Sequence, residues 1–573
     1  MLWGLTAPQN KRMALLTPLL IIGEVLMEVS IPLLMAGVIN QGVLAGDLAA
    51  VLRYGGGMAG MALLSLAFGV AAAKTSVTAS VGFSENVRQA LFYRVQDFSF
   101  ANVDRFSTAS LITRLTTDVG NLQMAFMMCI RMLVRSPVML VSATLMALRL
   151  NAKLATIFLV AIPVLGGSLI TIAAVTFPRF QRMLTRVDGL NARVQENLNA
   201  MRVVKAYVRE EYETERFEQA ADDLRRAMLS AEKLLVLNGP IMTFCMNACM
   251  IAVSWFGGQM IITGTMELGD LMSFLSYISQ ILMSLMMLSM IFVMLLMSRA
   301  SAARISEVLR EVPEIRVERA EPVTEVADGS IAFDGVTFSY GGADGVRVLK
   351  GIDLAIASGE TIGIIGGTGS AKSTLVQLIP RLYDATEGRV LVGGIDVKDY
   401  DLTALRKQVA MVLQKNELFS GTIRENLLWG DEAATQEQIE AACRAASAHD
   451  FITSFPDGYE TVLGQGGVNL SGGQKQRLCI ARALLAHPKI LILDDSTSAV
   501  DTATDSHIRQ ALRQQLPGTT KLIIAQRIAS VMEADRIVVL SEGRIEAVGS
   551  HEELMERSAI YREVCESQQK GVA

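Results

Sequence analysis

Charged residues are scarce in this 573-residue chain, at 19% of the sequence against about 25% in a typical soluble protein. Apolar residues reach 51%, and the mean hydropathy is positive at +0.37. The 52 basic and 57 acidic side chains nearly cancel, which leaves a net charge of −5. Recruitment to nucleic acid by bulk charge is therefore excluded, and a membrane-embedded portion is predicted.

Cysteine and histidine are also rare, with six and four residues. No two cysteines form a C-x-x-C pair and no histidine lies at metal-ligand spacing, which argues against a disulfide framework and a zinc site. Cys245 and Cys249 lie four residues apart in an apolar run. Two small buried side chains explain this pair more simply than a metal or redox site, so all six cysteines are expected to be reduced thiols.

Long apolar runs fill the first half of the chain and stop near residue 300. A membrane-spanning helix needs about 20 mostly apolar residues, and six runs are long enough: 13–39, 54–81, 126–148, 154–177, 234–262 and 268–297. Lys11 and Arg12 precede the first run without a small-residue cleavage site after it, which favours a retained span over a signal peptide. The predicted domains are a membrane domain (1–309), a linker (310–329) and a soluble α/β domain (330–573).

Two connectors between the predicted spans, 82–125 and 178–233, are long and rich in arginine and lysine. The positive-inside bias places them, and hence the C-terminal half, in the cytoplasm. Each connector has helical periodicity on both sides of a short break, near 98–107 and near 208–215. The spans are therefore expected to continue as long helices. The breaks are either polar turns or segments that contact the soluble half.

Two carboxylates, Glu24 and Glu28, lie on one face of the first predicted span. An unpaired charge inside a membrane is costly, so such residues mark candidate functional positions. Either they line a hydrated interior that favours cationic substrates, or they pair with a cation such as Lys74, Arg131 or Arg135. The numerous methionines of the last span suit a pathway for varied apolar ligands or plain packing.

A phosphate-binding loop is predicted from the segment ETIGIIGGTGSAKSTLVQLI, which has the pattern strand, Gly-rich loop, helix. It nearly matches G-x-x-x-x-G-K-[ST], whose backbone N–H groups cradle a polyphosphate. Lys372 is expected to reach the β- and γ-phosphates, and the Ser373 hydroxyl to ligate Mg²⁺. Ala371 replaces the last glycine, which is expected to be tolerated only if that residue is helical and its Cβ points away from phosphate. The predicted nucleotide-contacting residues of the loop are Gly366, Gly367, Thr368, Gly369, Ser370, Ala371, Lys372, Ser373 and Thr374.

Two more segments carry nucleotide chemistry. An apolar strand, Ile490 to Leu493, ends in Asp494 and Asp495, and a carboxylate at that position is suited to hold hydrated Mg²⁺. Between it and the loop lies LSGGQKQR, which opens a helix with a serine and two glycines. Its spare N–H donors offer a second phosphate nest.

The order of these motifs resembles the nucleotide-binding domain of ABC transporters, and the six preceding spans resemble their half-transporters of the exporter (type IV) fold. The resemblance covers essentially the whole chain. It implies that Tyr340 stacks on adenine, that Gln414 touches Mg²⁺ and senses the membrane half, and that Asp501 crosses a dimer interface. The two connector breaks resemble coupling helices. The signature residues, which grip the γ-phosphate of a nucleotide on the opposing subunit, are Ser471, Gly473 and Gln474.

Two catalytic positions depart from the family. Asp495 stands where the family has the general base Glu, and Gln526 replaces the switch His, while all four histidines lie elsewhere. The shorter Asp side chain sets the carboxylate back by about 1.5 Å. This shift is comparable with the whole tolerance of a general base, which must stay within hydrogen-bond distance of the proton that it removes. Losing general-base help of about 10²–10⁴-fold raises the barrier by roughly 3–5.5 kcal/mol. The chain's own loop site is expected to bind ATP well and hydrolyse it poorly.

The complete signature beside a weak loop site resembles the degenerate-site chain of bacterial heterodimeric multidrug exporters. The resemblance implies ATP and Mg²⁺ as cofactors, a second half-transporter chain as partner, and the bacterial cytoplasmic membrane as location. The expected substrates are apolar or amphipathic drugs or lipids. The alternatives are a peptide exporter, an importer on the same fold with a siderophore-like substrate, and an ATP-gated regulatory subunit that transports nothing.

Overall fold

The computed structural model describes residues 2–317, 319–342, 345–496 and 500–570. Only the backbone is described for residues 2, 3, 159, 169, 173, 235, 289, 292, 293, 296, 297, 569 and 570. The chain forms two compact units. One comprises Met1–Gln96 and Ser107–Glu311, and the other comprises Asp97–Phe106 and Val312–Ala573. The short stretch 97–106 thus groups with the C-terminal unit, although its neighbours in sequence belong to the first.

Helices form every regular element described in the first unit. Six stretches are long and apolar enough to cross a membrane: Pro8–Val43, Leu48–Gln96, Thr108–Leu150, Ala152–Asn199, Glu210–Ile262 and Leu268–Leu288. These stretches confirm the six predicted spans, and most run well beyond the apolar segments, as the helical periodicity of the connectors predicts. The helices are α1 (Pro8–Gly37), α2 (Leu48–Gln96), then α3 (Phe100–Arg105) in the second unit, α4 (Thr108–Thr113), α5 (Val119–Leu150), α6 (Ala152–Asn199), α7 (Met201–Ala206), α8 (Glu210–Val236), α9 (Asn238–Ile262) and α10 (Leu268–Arg310).

The first predicted break is confirmed as a short separate helix, α3. The Ser99 hydroxyl accepts a hydrogen bond from the Asn102 backbone N–H, and the Asn102 side chain accepts one from the backbone N–H of Ser99. This reciprocal cap starts a new helix after α2 ends. A second cap, on Ser107, starts α4.

The second predicted break, near 208–215, is confirmed only at its first two residues. The chain breaks at Ala200 and again just before Glu210, and α7 lies between these breaks. Residues 210–215 are instead the beginning of α8. Three glutamates in that first turn favour a helix start, because negative side chains interact well with the positive end of the helix dipole. Val208 adopts a left-handed conformation, φ 53°, that ends the preceding turn.

The two carboxylates of α1 are paired. Arg135 of α5 donates a hydrogen bond from one guanidinium nitrogen to Glu24 and from another to Glu28, the latter at 2.6 Å. Of the alternatives that the sequence leaves open, the structure thus shows the ion pair, through Arg135 rather than Lys74 or Arg131. One cation shared by two carboxylates leaves the group with a formal charge of −1.

A second charged group joins the turn that precedes α5 to α10. Asp118 is fully buried and accepts hydrogen bonds from the Ser301 hydroxyl at 2.8 Å and from Arg304 Nε at 2.7 Å. Arg114 donates to the Arg304 carbonyl oxygen at 2.9 Å and pairs with Glu307 at the same distance. Residues Arg114–Asp118 form a π-helical turn. Such turns are uncommon and often lie where side chains make specific contacts.

The second unit contains a six-stranded sheet of order β12-β11-β3-β10-β9-β6 and a four-stranded antiparallel sheet of order β2-β1-β4-β5. In the six-stranded sheet β6, β9, β10, β3 and β11 run parallel, and only β12 is antiparallel. The strands are β1 (Ile331–Phe338), β2 (Leu349–Ile356), β3 (Thr361–Gly366), β4 (Glu387–Val392), β5 (Ile395–Asp396), β6 (Val409–Val412), β7 (Gly421–Thr422), β8 (Val462–Leu463), β9 (Ile490–Asp494), β10 (Thr520–Ile524), β11 (Arg536–Ser541) and β12 (Arg544–Gly549).

Apolar clusters lie on both faces of the parallel sheet. β9 and β10 are buried along their whole length, as expected for central parallel strands. The remaining helices are α11 (Lys372–Gln377), α12 (Leu402–Gln408), α13 (Ile423–Leu428), α14 (Gln436–Ala445), α15 (His449–Thr453), α16 (Gly472–Leu485), α17 (Thr502–Gln515), α18 (His551–Arg557) and α19 (Ala559–Lys570). The six cysteines are free thiols, as predicted.

Replacing Arg135 by Met is expected to lower the thermal unfolding midpoint of the chain in lipid nanodiscs. The substitution leaves Glu24 and Glu28 close together without their cation, which costs about 1–3 kcal/mol for a partly buried group. Arg131→Met, one turn earlier on α5, is the matched control, because Arg131 makes no ion pair among the described residues. Equal shifts for both variants would mean that the ion pair contributes nothing to stability.

Candidate functional site

The predicted phosphate loop joins β3 to α11, in the strand-loop-helix order that the sequence indicates. β3 lies between β10 and β11, so the loop emerges from the middle of the parallel sheet. Lys372 Nζ donates to the carbonyl oxygens of Gly366 and Gly367, at 2.8 and 2.9 Å. Burial lowers the pKa of Lys372. The ammonium group is thus held inside the loop, in a position to contact a bound polyphosphate.

The first condition under which Ala371 is expected to be tolerated, a helical backbone, is not met. Ala371 is not helical: it caps α11 in the left-handed conformation, with φ 72° and ψ 24°. A glycine reaches that conformation without strain, whereas a Cβ costs roughly 1–2 kcal/mol there. The Ala371 side chain is half-buried against the apolar cluster around α11 and β3. This packing offsets part of the backbone strain.

The two consecutive aspartates lie at the end of β9. Ser373 Oγ donates to Asp494 Oδ1 at 2.9 Å, so the first residues of α11 and the end of β9 are in direct contact. Burial raises the pKa of Asp494 and also that of Asp495. A hydroxyl and a carboxylate oxygen side by side fit a Mg²⁺ ion, which takes few protein ligands and completes its shell with phosphate and water.

Asp495 and Gln526 form a hydrogen-bonded pair. Gln526 Nε2 donates to Asp495 Oδ2 at 2.7 Å, and the side chains of Gln414 and Gln526 partly offset the rise that burial causes in the pKa of Asp495. Asp495 is buried and adopts a left-handed conformation, φ 49°. The structure thus brings together three of the residues selected from the sequence. Their parent segments follow β6, β9 and β10, which are neighbours in the sheet.

Tyr340 lies beside the loop. Its hydroxyl is 2.8 Å from Thr374 Oγ1, and its ring meets the rings of Phe338 and Tyr383 edge-on. About half of the Tyr340 side chain is exposed. Because the Tyr340 hydroxyl is hydrogen-bonded to Thr374, its exposed ring is held next to the loop and is suited to stack on a nucleotide base.

The signature segment opens α16, as the sequence predicts. The Ser471 hydroxyl accepts from the Gln474 backbone N–H, and Gln474 Oε1 accepts from the Ser471 backbone N–H at 2.8 Å. Ser471 is exposed, and no residue of the segment contributes to the phosphate loop of this chain in any contact that the structure describes. Asp501 caps α17 through a 2.9 Å hydrogen bond from the Thr504 backbone N–H.

No sequence motif identified one residue beside the site, Tyr383. Tyr383 follows α11 and contacts both Tyr340 and α3, whose residues lie about 280 positions away in the chain. No motif spacing connects them, because the contact depends on how α3 packs. An aromatic residue in the polar segment RLYDATEG was the only available hint.

Fold and site together define a class: a membrane-spanning helical unit fused to a P-loop nucleotide-binding unit. Two family profiles match the chain, "ABC transporter transmembrane region" over residues 14–286 and "ABC transporter" over residues 349–498. The chain is similar to the "uncharacterized ABC transporter ATP-binding protein YfiB" of Bacillus subtilis, at 38% identity over 96% of this chain and 95% of that protein. It is similar to an ATP-dependent lipid A-core flippase of Chromohalobacter salexigens, at 34% identity over 80% and 79% of the two chains.

The fold resembles that of a bacterial Atm1-family ABC exporter with ATP bound, with a TM-score of 0.82, 26% identity, and coverage of 97% of this chain and 99% of that one. The chain therefore belongs to the ABC transporters, and it is an exporter-type half-transporter of the type IV fold. It is a multi-pass membrane protein with an ATP-binding cassette of the ABC ATPase family.

Ala371→Gly is expected to bind ATP at least as tightly as the wild type, and to stabilise the C-terminal unit by up to about 1 kcal/mol. Glycine removes the left-handed strain, although it also gains entropy in the unfolded chain. Ala371→Val, with a branched Cβ at the same φ, is expected to weaken binding. The measurements are ATP titration and thermal unfolding of the three full-length chains. Weaker ATP binding by the glycine variant would contradict the strain argument.

Proposed function

We propose that this chain is the degenerate-site subunit of a heterodimeric ATP-driven exporter in a bacterial cytoplasmic membrane. It holds ATP at its own phosphate loop and supplies its signature segment to the hydrolytic site of a partner half-transporter. The observation that carries the proposal is the hydrogen bond between Gln526 and Asp495.

This pair disfavours hydrolysis for two reasons. The Gln526 amide is engaged with a carboxylate and carries no positive charge that it could bring to a γ-phosphate. Asp495 is one methylene shorter than the glutamate that acts as base in the family, and the amide occupies one of its oxygens. A general base must reach its water directly. In the phosphate loop, Lys372 Nζ donates to the Gly366 carbonyl oxygen and Ser373 Oγ donates to Asp494, an arrangement that supports nucleotide binding at this loop.

The signature segment supports the second half of the proposal. Ser471, Gly473 and Gln474 start α16 in a regular capping box, and Ser471 is exposed. Backbone donors at the start of a 14-residue helix favour an anion. In the family such a segment completes the site of the opposing subunit, and nothing in its local geometry here is distorted.

Two exposed apolar surfaces favour a second chain. Around α7, Tyr207 and Val208 are 76% and 80% exposed, next to a cavity of about 420 Å³ lined by residues of α6, α7 and α8. On the ATP-binding unit, Phe419 and Trp429 stack with ring centroids 4.1 Å apart while largely exposed. Exposed apolar groups clustered in this way mark protein contacts.

Ser373 and Asp494, with Gln414 nearby, are the residues proposed to hold Mg²⁺, which would neutralise phosphate charge when bound. Tyr340 is proposed to stack on the adenine. ATP binding would close two such domains, and the coupling segments would pass that closure to the membrane helices. Hydrolysis at the partner's site would then reset the transporter.

Apolar or amphipathic molecules are the proposed substrates. The similarity to a lipid A-core flippase supports a lipid-like cargo. The exposed methionines of α10, which are flexible and polarizable, suit varied apolar ligands; they are Met272, Met283, Met286, Met287 and Met290. Transport into inside-out vesicles separates export from import, and substrate-stimulated ATP hydrolysis argues against a purely regulatory subunit.

The chain purified alone is expected to bind ATP with little turnover. The double change Asp495→Glu with Gln526→His should raise hydrolysis at least tenfold, toward the factor of about 10²–10⁴ that a general base provides. Adding Lys372→Ala to the double variant should remove the gain, which shows that it arises at this loop. A wild-type chain that alone turns over about one ATP per second or faster, as typical enzymes do, would refute the degenerate-site proposal.

In the assembled complex, Ser471→Arg is expected to stop nearly all hydrolysis and transport, because a bulky cation blocks the nest that the partner's γ-phosphate needs. Lys372→Ala should only weaken ATP binding at the degenerate site and slow the cycle. The measurement is the ATPase rate of the complex with each substitution separately. If Lys372→Ala is the more damaging change, the division of labour between the two sites is wrong.

A further inference from the structure

The loop that carries Tyr383 is rigidly held. Arg381 is buried and adopts φ 51°, and its guanidinium donates to Asp384 at 2.7 Å and to the carbonyl oxygen of Arg316 at 2.9 Å. Arg406 in turn donates to the Arg381 carbonyl oxygen at 2.8 Å. With its backbone fixed on several sides, this loop is a firm base from which the Tyr383 side chain extends.

Tyr383 contacts α3 in two ways. Its hydroxyl donates to Asp104 Oδ2 at 2.7 Å, and its ring lies 6.0 Å from the ring of Phe100, centroid to centroid. Burial raises the pKa of the Tyr383 hydroxyl, and the hydrogen bond to Asp104 raises it further, so the group stays protonated as a donor. The contact therefore persists over the physiological pH range.

On its other side Tyr383 meets the base-binding surface. Its ring stands at 89° to the ring of Tyr340, with centroids 5.3 Å apart, and is also 5.6 Å from Phe338. The Tyr340 hydroxyl is tied to Thr374, so the ring cannot move away freely. Any reorientation of Tyr340 on stacking with a base changes its edge contact with Tyr383.

The α3 segment is also fastened to the chain that leads into the ATP-binding unit. Asn102 Nδ2 donates to the Val312 carbonyl oxygen at 3.2 Å, and Asn102 Oδ1 accepts from the Glu314 backbone N–H at 3.1 Å. In sequence the segment is continuous with α2 and α4. The segment is therefore linked covalently to two membrane helices and non-covalently to Tyr383.

We propose that Tyr383 is a positioning residue through which the segment Asp97–Phe106 responds to the nucleotide base, rather than to the phosphates alone. The proposal rests on the assignment of Tyr340 to the adenine made above. Stacking on Tyr340 fixes the Tyr383 ring, and the hydroxyl of Tyr383 passes that restraint to Asp104. The order of the segment thus depends on base occupancy.

The test is hydrogen exchange of the 97–106 peptide in the full-length chain in lipid nanodiscs, without nucleotide, with MgATP, and with magnesium tripolyphosphate. In the wild type MgATP should slow exchange by about three- to tenfold, the range expected when a contact worth about one net hydrogen bond becomes more restrained, and tripolyphosphate should not. Tyr383→Phe and Asp104→Ala should each lose this response, while ATP affinity stays within about threefold of wild type. Asp104→Asn, which keeps an acceptor for the hydroxyl, should retain it.

Two results would overturn the proposal: an undiminished MgATP response in Tyr383→Phe, or an equal response to tripolyphosphate in the wild type. Tyr340→Ala separates this outcome from the assignment beneath it. Loss of base stacking should weaken ATP binding about tenfold or more. If that variant binds ATP normally, the adenine assignment fails. If Tyr340→Ala binds ATP weakly but Tyr383→Phe still shows the full MgATP-dependent slowing of exchange, only the coupling proposal fails.

Discussion

The parallel register of the six-stranded sheet is the constraint on which the nucleotide site depends. Ile524 of β10 pairs with Ile364 of β3 on one side and with Asp494 of β9 on the other. Because parallel strands end at the same edge, the phosphate loop, the two aspartates and Gln526 emerge side by side. A slip of one residue in β9 would turn Asp494 away from Ser373.

The membrane unit follows a different rule, which is that a charge among apolar helices must find a partner. Arg135 forms ion pairs with two carboxylates of α1, and Asp118 accepts hydrogen bonds from Ser301 and Arg304 of α10. The first group joins α5 to α1, and the second joins the turn just before α5 to α10. Apolar contact between lipid-facing helices does not specify register strongly, whereas hydrogen-bonded charges fix particular residues against each other.

Much of the fold was accessible from patterns of short range. The apolar runs predicted six spans, and the signature pattern predicted the helix that Ser471 caps. The second connector break was drawn too far along the chain because VREEYETE is mostly polar, and polarity does not distinguish a turn from the acidic first turn of α8. The condition set for Ala371, a helical backbone, could not be checked from the motif, because its left-handed φ depends on the loop closing around Lys372.

The sequence by itself determined which chemistry is present: a phosphate loop, a signature, an Asp in place of Glu and a Gln in place of His. These are properties of residue type and spacing along one chain, and the local backbone expresses them directly. Tertiary structure alone decided the partners: which of three cations meets Glu24 and Glu28, that Gln526 binds Asp495, and that Tyr383 joins α3 to Tyr340. Such contacts link residues far apart in the chain, and their geometry follows from how sheet and helices pack, which no local pattern encodes.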